Sequence, residues 1–233
     1  NKVLLDLKGK TVLQRVFEQC LKVKNVEIYI ATDSELIRKK SLSFTNNVIM
    51  TKSTHESGTE RVVEAVSNID CKFVVNVQGD EPFINPTLIE NLFYSLEKDN
   101  VMISSVMQRI TEKKDLINPN SVKVITDDNE NAIYFSRAVI PFVRNGLDNI
   151  LDEKGKISNK YNFFRHVGIY GYKKSFLTTY SKMNESTLEK LEKLEQLRVL
   201  ENGLKIKMIK TNHKSLGIDT IQDYNKALKL IKT

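Results

Sequence analysis

Two aspartates stand where a polypeptide can hold a cation. Asp80 follows Phe73-Val74-Val75-Asn76-Val77-Gln78-Gly79, an apolar, Val-rich run that breaks at Gly79 and Pro82. Such a run fits a strand buried on both faces of a parallel sheet, and the turn residues mark its end. In open α/β sheets ligands bind just beyond the carboxyl ends of the strands. A carboxylate there is placed to hold a divalent cation against a phosphate-bearing substrate. The plain alternative is that Asp80 caps the helix that follows, and the local sequence does not separate the two. Asp219, in Gly217-Ile218-Asp219-Thr220, is a second lone carboxylate just before a helix, with the same alternative. One from each half of the chain, the two could share a magnesium ion.

Three further stretches combine chemically capable residues. His55-Glu56-Ser57-Gly58-Thr59-Glu60-Arg61 offers hydroxyls, a glycine and free backbone N–H groups at a helix start. That is a cradle for a base, ribose or phosphate, or an ordinary capped helix. Tyr134-Phe135-Ser136-Arg137-Ala138-Val139-Ile140-Pro141 sets one arginine in an apolar run, where it should meet a carboxylate of the protein or of a ligand. Arg165-His166-Val167-Gly168-Ile169-Tyr170-Gly171-Tyr172 places two glycines in a strand, which signals close approach of a ligand or another backbone. A satisfied interior histidine is the commoner role for His166. The histidines at 55, 166 and 213 lack metal-ligand spacing, which disfavours zinc.

The elements that must position these groups follow from periodicity. Residues 11–23 read as an amphipathic helix with Val12, Val16, Cys20 and Val23 on one stripe. Residues 27–32 read as a strand ending at Asp33, which can cap a helix from about 34, and 48–50 as a short strand. A helix over 60–67, the Val-rich strand and a helix over 86–98 complete an alternation that implies a parallel, doubly wound sheet. After residue 99 the pattern changes. Strands are expected over 102–109, 122–126 and 132–135, the last two as a hairpin around the polar turn 127–131. Residues 144–162 read as a mobile loop. A strand over 164–172, a helix over 174–181, one buried helix over 188–200 and a strand over 206–210 follow. Thr220 should cap a closing helix, with Asp223 completing a capping box.

Composition bounds the rest. The chain has 233 residues, enough for one large α/β domain, with 40% apolar and 28% charged residues. No apolar run is long enough to cross a bilayer, and the stretch 3–7 is interrupted by Asp6, so neither a membrane span nor a signal peptide is expected. Cys20 and Cys71 read as reduced thiols, and a cytoplasmic location is expected. Net charge is +7, concentrated in residues 160–233, with 15 Lys and Arg against 7 Asp and Glu. No aromatic-interleaved basic cluster supports nucleic-acid binding. Solvated lysine-rich helix faces account for the excess.

HESGTER (55–61), NVQGDEP (76–82), NPNSVKV (118–124), YFSRAVIP (134–141), RHVGIYGY (165–172), LEQLRVLENG (194–203) and GIDT (217–220) are each weak alone. In this order they make the chain resemble the 3-deoxy-manno-octulosonate cytidylyltransferases, the CMP-Kdo synthetases of lipopolysaccharide assembly, from residue 1 almost to the end. The resemblance implies a nucleotide-diphospho-sugar transferase α/β fold: a mostly parallel sheet over residues 1–99, then a sugar-binding part with an antiparallel hairpin and dimerisation segment over 100–233. It implies one domain, a homodimer, CTP and Kdo as substrates, Mg2+ as cofactor, and CMP-Kdo and pyrophosphate as products. By position it implies Asp80 and Asp219 as metal ligands and Lys2 on the phosphates. Ser57, Gly58, Thr59 and Gln78 would lie against the cytidine. Arg137, Arg144, His166, Tyr170, Gly171, Tyr172, Glu195 and Gln196 would frame the acidic sugar. A related acidic sugar (an amino-substituted Kdo or a sialic acid) and an inactive binding module are the alternatives. The family opens with a strand and a basic loop of the type I-P-A-R…S-T-R-L-P-G-K. Here the sequence begins at Asn1-Lys2, near the end of that loop, and Val3 replaces the usual proline. The expectation is that this strand and its arginines lie upstream; a form without them would lack a central strand and expose a sheet edge.

Overall fold

A computed structural model describes residues 2–213 and 216–231; Asn1, near the end of the expected basic loop, lies outside them. The first half alternates as the periodicity requires: α1 (Val12–Cys20), β1 (Ile30–Thr32), α2 (Glu35–Ser41), β2 (Val48–Met50), α3 (Gly58–Ala65), β3 (Phe73–Asn76) and α4 (Pro86–Leu96). The second half runs β4 (Ile103–Arg109), α5 (Lys113–Ile117), β5 (Lys123–Thr126), β6 (Ala132–Ser136), β7 (Phe164–Lys173), α6 (Lys174–Tyr180), α7 (Thr187–Glu192), α8 (Leu197–Glu201), β8 (Lys207–Thr211) and α9 (Ile221–Leu230).

β7 is the spine of the larger sheet. β4 pairs antiparallel along one edge of it, while β3 and β5 share the other edge. Phe73 lies opposite Lys173 and Lys123 opposite Arg165. β8 pairs parallel with β4. Strands β3, β4 and β8 therefore point the same way, with β7 running against them. The expected hairpin is present as β5–β6, with a register shift at Ile125/Thr126. In β7 the register shifts so that Ser105 faces Tyr170 while its neighbour Val106 faces Val167. The Ser105 hydroxyl donates to the carbonyl of Ile169 (2.8 Å), inside this bulge. A side chain thus satisfies backbone that the ladder leaves out.

β1 and β2 form a separate parallel pair. Between β1 and β3 lies a cleft of about 970 Å3, lined by Val16, Ile28, Ile30, Val75 and Val77 among others. The Val-rich β3, expected to be buried on both faces, is accordingly only half-buried at every position. α1 spans the cleft. Its Leu13 and Phe17 pack with Ile30 on one side, and its Val16 and Cys20 join Ile84, Leu88 and Leu92 on the other.

Three local expectations are corrected. The cap of α2 is Ser34, whose Oγ accepts from Ile37 N–H; Asp33 instead accepts from Arg61 at 3.0 Å. The helix expected over 188–200 is two short helices, because Lys193 turns left-handed (φ 53°) and ends α7. Its leucines are not uniformly buried: Leu197 is fully enclosed and Leu191 is 76% exposed. Residues 144–162, expected to be mobile, contribute Ile150 and Ile157 to a small core shared with Phe163, Ile110 and Leu116.

Candidate functional site

The cation site assembles from three distant parts of the chain. Neither aspartate is a helix cap. Asn85 caps α4, accepting from Thr87 N–H, and Thr220 caps α9 in a box with Asp223. Both carboxylates are thereby free for other work. The Ile218 N–H donates to the carbonyl of Asp80 (2.9 Å), which carries Asp219 up to the strand-end turn. Ile218 is itself anchored in a cluster with Leu7, Val12 and Ala227. The same cluster ties down the first segment, where the Tyr224 hydroxyl donates to Asp6 O at 2.5 Å. Lys2 opens a short 3-10 turn over Lys2–Leu4. Its Nζ lies 2.6 Å from Asp80 Oδ2 and 2.6 Å from Asp219 Oδ1. Partial burial works against the ammonium charge, but the hydrogen bonds to Asp219 and Asp80 outweigh it and raise the Lys2 pKa.

A second cluster sits at the start of α3. Ser57 Oγ caps the helix by accepting from Glu60 N–H. Thr59 N–H donates to Glu195 Oε2 (3.1 Å), and Thr59 Oγ1 lies 2.8 Å from the Tyr172 hydroxyl. A methyl group added at Gly58 would sit 3.4 Å from Asn76 Nδ2, 3.7 Å from Gln78 Nε2 and 3.9 Å from Glu195 Oε1. The structure therefore brings Ser57, Gly58, Thr59, Gln78, Tyr172 and Glu195 together. Burial raises the Glu195 pKa against the opposing Thr59 N–H. Tyr170 is buried and donates to Gln196 Oε1 (3.1 Å), and Gln196 Nε2 is enclosed without a partner among the described residues. The break between α7 and α8 makes this possible, since Glu195 and Gln196 sit in the elbow. Asn76 was missed from the sequence. Its enclosed Nδ2 has no partner among the described residues, and an asparagine inside a Val-rich strand is a signal that could have singled it out.

Several residues expected around a sugar have other duties. Arg137 donates from Nε to Glu192 O (2.8 Å), from Nη1 to Pro119 O (3.2 Å) and from Nη2 to Lys193 O (3.4 Å). Its guanidinium clamps the α7 end to the loop before β5, so its carboxylate partner is replaced by carbonyls. Arg144 is exposed and, among the described residues, makes no hydrogen bond or ion pair. His166 packs between the Phe135 and Tyr170 rings, with Nε2 2.8 Å from Ser105 Oγ. Burial lowers its pKa from 6.5 to about 3, so it is neutral. At Gly171 α4 packs directly on the sheet: an added methyl would meet Ser104 Oγ at 2.9 Å and Leu96 Cδ1 at 3.1 Å. Its absence of a side chain serves packing.

Two carboxylates converging on one cation are a hard oxygen donor set of the kind magnesium takes, with water and substrate oxygens completing the shell. Here the Lys2 ammonium stands at the point where both carboxylates meet. Among the described residues no cluster of three or more His, Cys, Asp or Glu adds a further ligand. The residues present thus fit a substrate-assisted magnesium site and not a closed protein cage.

A family description, "Cytidylyltransferase", matches residues 1–206. The chain is 47% identical over 236 residues to a 3-deoxy-manno-octulosonate cytidylyltransferase of Francisella tularensis subsp. holarctica, covering 99% of this chain and 92% of that one. It is 41% identical over 234 residues to the protein of the same description from Geotalea uraniireducens, covering 100% and 93%. Among solved structures it is similar to a CMP:2-keto-3-deoxy-manno-octonic acid synthetase complexed with CTP. That likeness has a TM-score of 0.87 and 34% identity, covering 98% of this chain and 90% of the other.

Proposed function

The chain belongs to the cytidylyltransferase family, and from that premise we propose that it transfers the CMP moiety of CTP to 3-deoxy-D-manno-octulosonate, releasing pyrophosphate. The observation that carries this reading is the likeness, over nearly the whole chain, to relatives that bear that description. The anomeric hydroxyl oxygen of Kdo forms a bond to the α-phosphorus of CTP. The bond from that phosphorus to the bridging oxygen of the β-phosphate breaks, pyrophosphate leaves, and the hydroxyl proton is lost to solvent.

In this reading the start of α3 and Gln78 receive the nucleotide, with Ser57, Gly58 and Thr59 offering a surface that contains no bulky side chain. Glu195, Gln196, Tyr170 and Tyr172 lie on the sugar side. Asp80 and Asp219 would hold Mg2+, which when bound supplies positive charge against the triphosphate and the leaving pyrophosphate. Lys2 adds a mobile positive charge beside it. A homodimer and a cytoplasmic location belong to the same reading; no helix among the described residues is long and apolar enough to cross a membrane.

Incubation with CTP, Mg2+ and Kdo should release pyrophosphate, and a sialic acid in place of Kdo should release far less. Asp80→Asn and Asp219→Asn should each lower the rate by about 100-fold, the scale of losing one charge-stabilising group, with unchanged circular dichroism. Full turnover in either variant would overturn the metal assignment. No release by the parent protein would overturn the function.

A further inference from the structure

The position of Lys2 goes beyond a phosphate contact. Its ammonium is 2.6 Å from a carboxylate oxygen of each aspartate, so those two oxygens are at most about 5 Å apart. Two like charges at that range repel unless a cation lies between them. Here the Lys2 ammonium lies between them. A divalent ion drawing on both oxygens would need the same space, and two cations cannot share it.

The partners differ in how firmly they are held. The backbones of the two aspartates are tied together by the Ile218 N–H to Asp80 O bond, behind which lies the cluster of Leu7, Val12, Ile218 and Ala227, although the Asp219 side chain is itself 74% exposed. Lys2 is 45% exposed along its side chain and hangs from a three-residue turn. Its ammonium, on a long stem of single bonds, can swing away from the pair while the aspartate backbones stay tied. The neighbouring lysines are committed elsewhere: Lys8 Nζ donates to Ile231 O and Lys10 pairs with Glu18. A triphosphate carries more charge than the carboxylate pair, and so gives a departing ammonium a better partner.

We propose that Lys2 is a placeholder cation: it closes the Asp80–Asp219 pair to divalent metal until a nucleoside triphosphate draws it away. Metal and nucleotide then bind as a set, and neither aspartate is left unneutralised in either state. This rests on the cytidylyltransferase reading for the identity of the nucleotide. By linkage, whatever factor the nucleotide adds to metal affinity the metal adds to nucleotide affinity.

The test is a titration of Mn2+ followed by electron paramagnetic resonance, on the parent protein and Lys2→Met, with and without the α,β-methylene analogue of CTP. Without nucleotide, Lys2→Met should bind Mn2+ about tenfold more tightly than the parent, within the usual range of coupling between sites. The analogue should raise the parent's Mn2+ affinity and leave that of Lys2→Met little changed. Adding Asp219→Asn to Lys2→Met should abolish the gain, which places it at this pair. Equal or weaker Mn2+ binding by Lys2→Met without nucleotide would overturn the proposal, as would a gain that survives Asp219→Asn. Pyrophosphate release by the parent, measured alongside, separates the two readings. Normal release with equal Mn2+ affinities rejects the placeholder alone. No release rejects the function, while the nucleotide-free Mn2+ comparison still decides the placeholder.

Discussion

His166 couples the stability of this protein to pH. Its ring lies between Phe135 and Tyr170 and beside Ser105, and burial lowers its pKa from 6.5 to about 3. The folded site refuses a proton that the unfolded chain accepts. The stabilisation is therefore complete above about pH 6.5 and is lost as pH falls from there toward 3. Between pH 7.5 and 5 this amounts to about 2 kcal/mol. Urea unfolding at the two pH values should show that loss in the parent, and His166→Asn should lose about 2 kcal/mol less over the same interval. Identical pH dependence would show that another group sets it. The same residue marks a limit of reading single positions. An interior histidine was the commoner reading of that position, but the Phe135 and Ser105 contacts that enclose it come from residues remote in sequence. Asp80 and Asp219 are the counterpart. Each was visible as a carboxylate before a helix, but their meeting depends on one backbone bond between residues 80 and 218, and no local pattern encodes that.

The elbow between α7 and α8 is the element on which the sugar side depends, because Glu195 and Gln196 occupy it. It is braced by a buried ion pair: Arg198 Nε donates to Glu189 Oε2 (2.7 Å) and Nη2 to Oε1 (2.8 Å), under the Tyr180 ring. Pairing with Glu189 raises the Arg198 pKa despite its burial. Removing one partner strands the other charge, which costs about 3–5 kcal/mol in buried pairs. Arg198→Ala should lower stability by that amount in denaturant unfolding, whereas Arg198→Met with Glu189→Leu should recover most of it. Equal losses in the two would refute the stranded-charge account. This elbow was illegible in the sequence because leucines at steps of three continue through it, and the residue that ends α7 is Lys193 in a conformation usually left to glycine. By contrast the strand and turn over residues 73–82, the hairpin and the Thr220–Asp223 box were all legible, since each is encoded by neighbours. Strand direction in the second half was not, because β7 finds β3 and β4 across some 60 to 100 residues.

At the scale of the molecule, the β1–β2 pair is set apart from the larger sheet by the cleft beside β3. Three-residue strands paired only with each other should open more readily than β4 and β7, which pair over seven positions. Hydrogen exchange should therefore show the amides of β1 and β2 exchanging at least about tenfold faster than those of β4 and β7. Uniform protection would mean that side-chain packing, or the strand expected upstream of Asn1, fuses the two parts. Across most of a sheet, load passes from strand to strand through rows of bonds that must fail together. Between β1 and β3 it passes through α1, whose Leu13 and Phe17 grip one side and Val16 and Cys20 the other, and through the Arg61 ties to Asp33 and Thr51. Those attachments are separate and can fail singly. A molecule pulled apart with one handle on β2 and the other on β8 should crack first along this seam, with α1 as the pin on which the two plates turn.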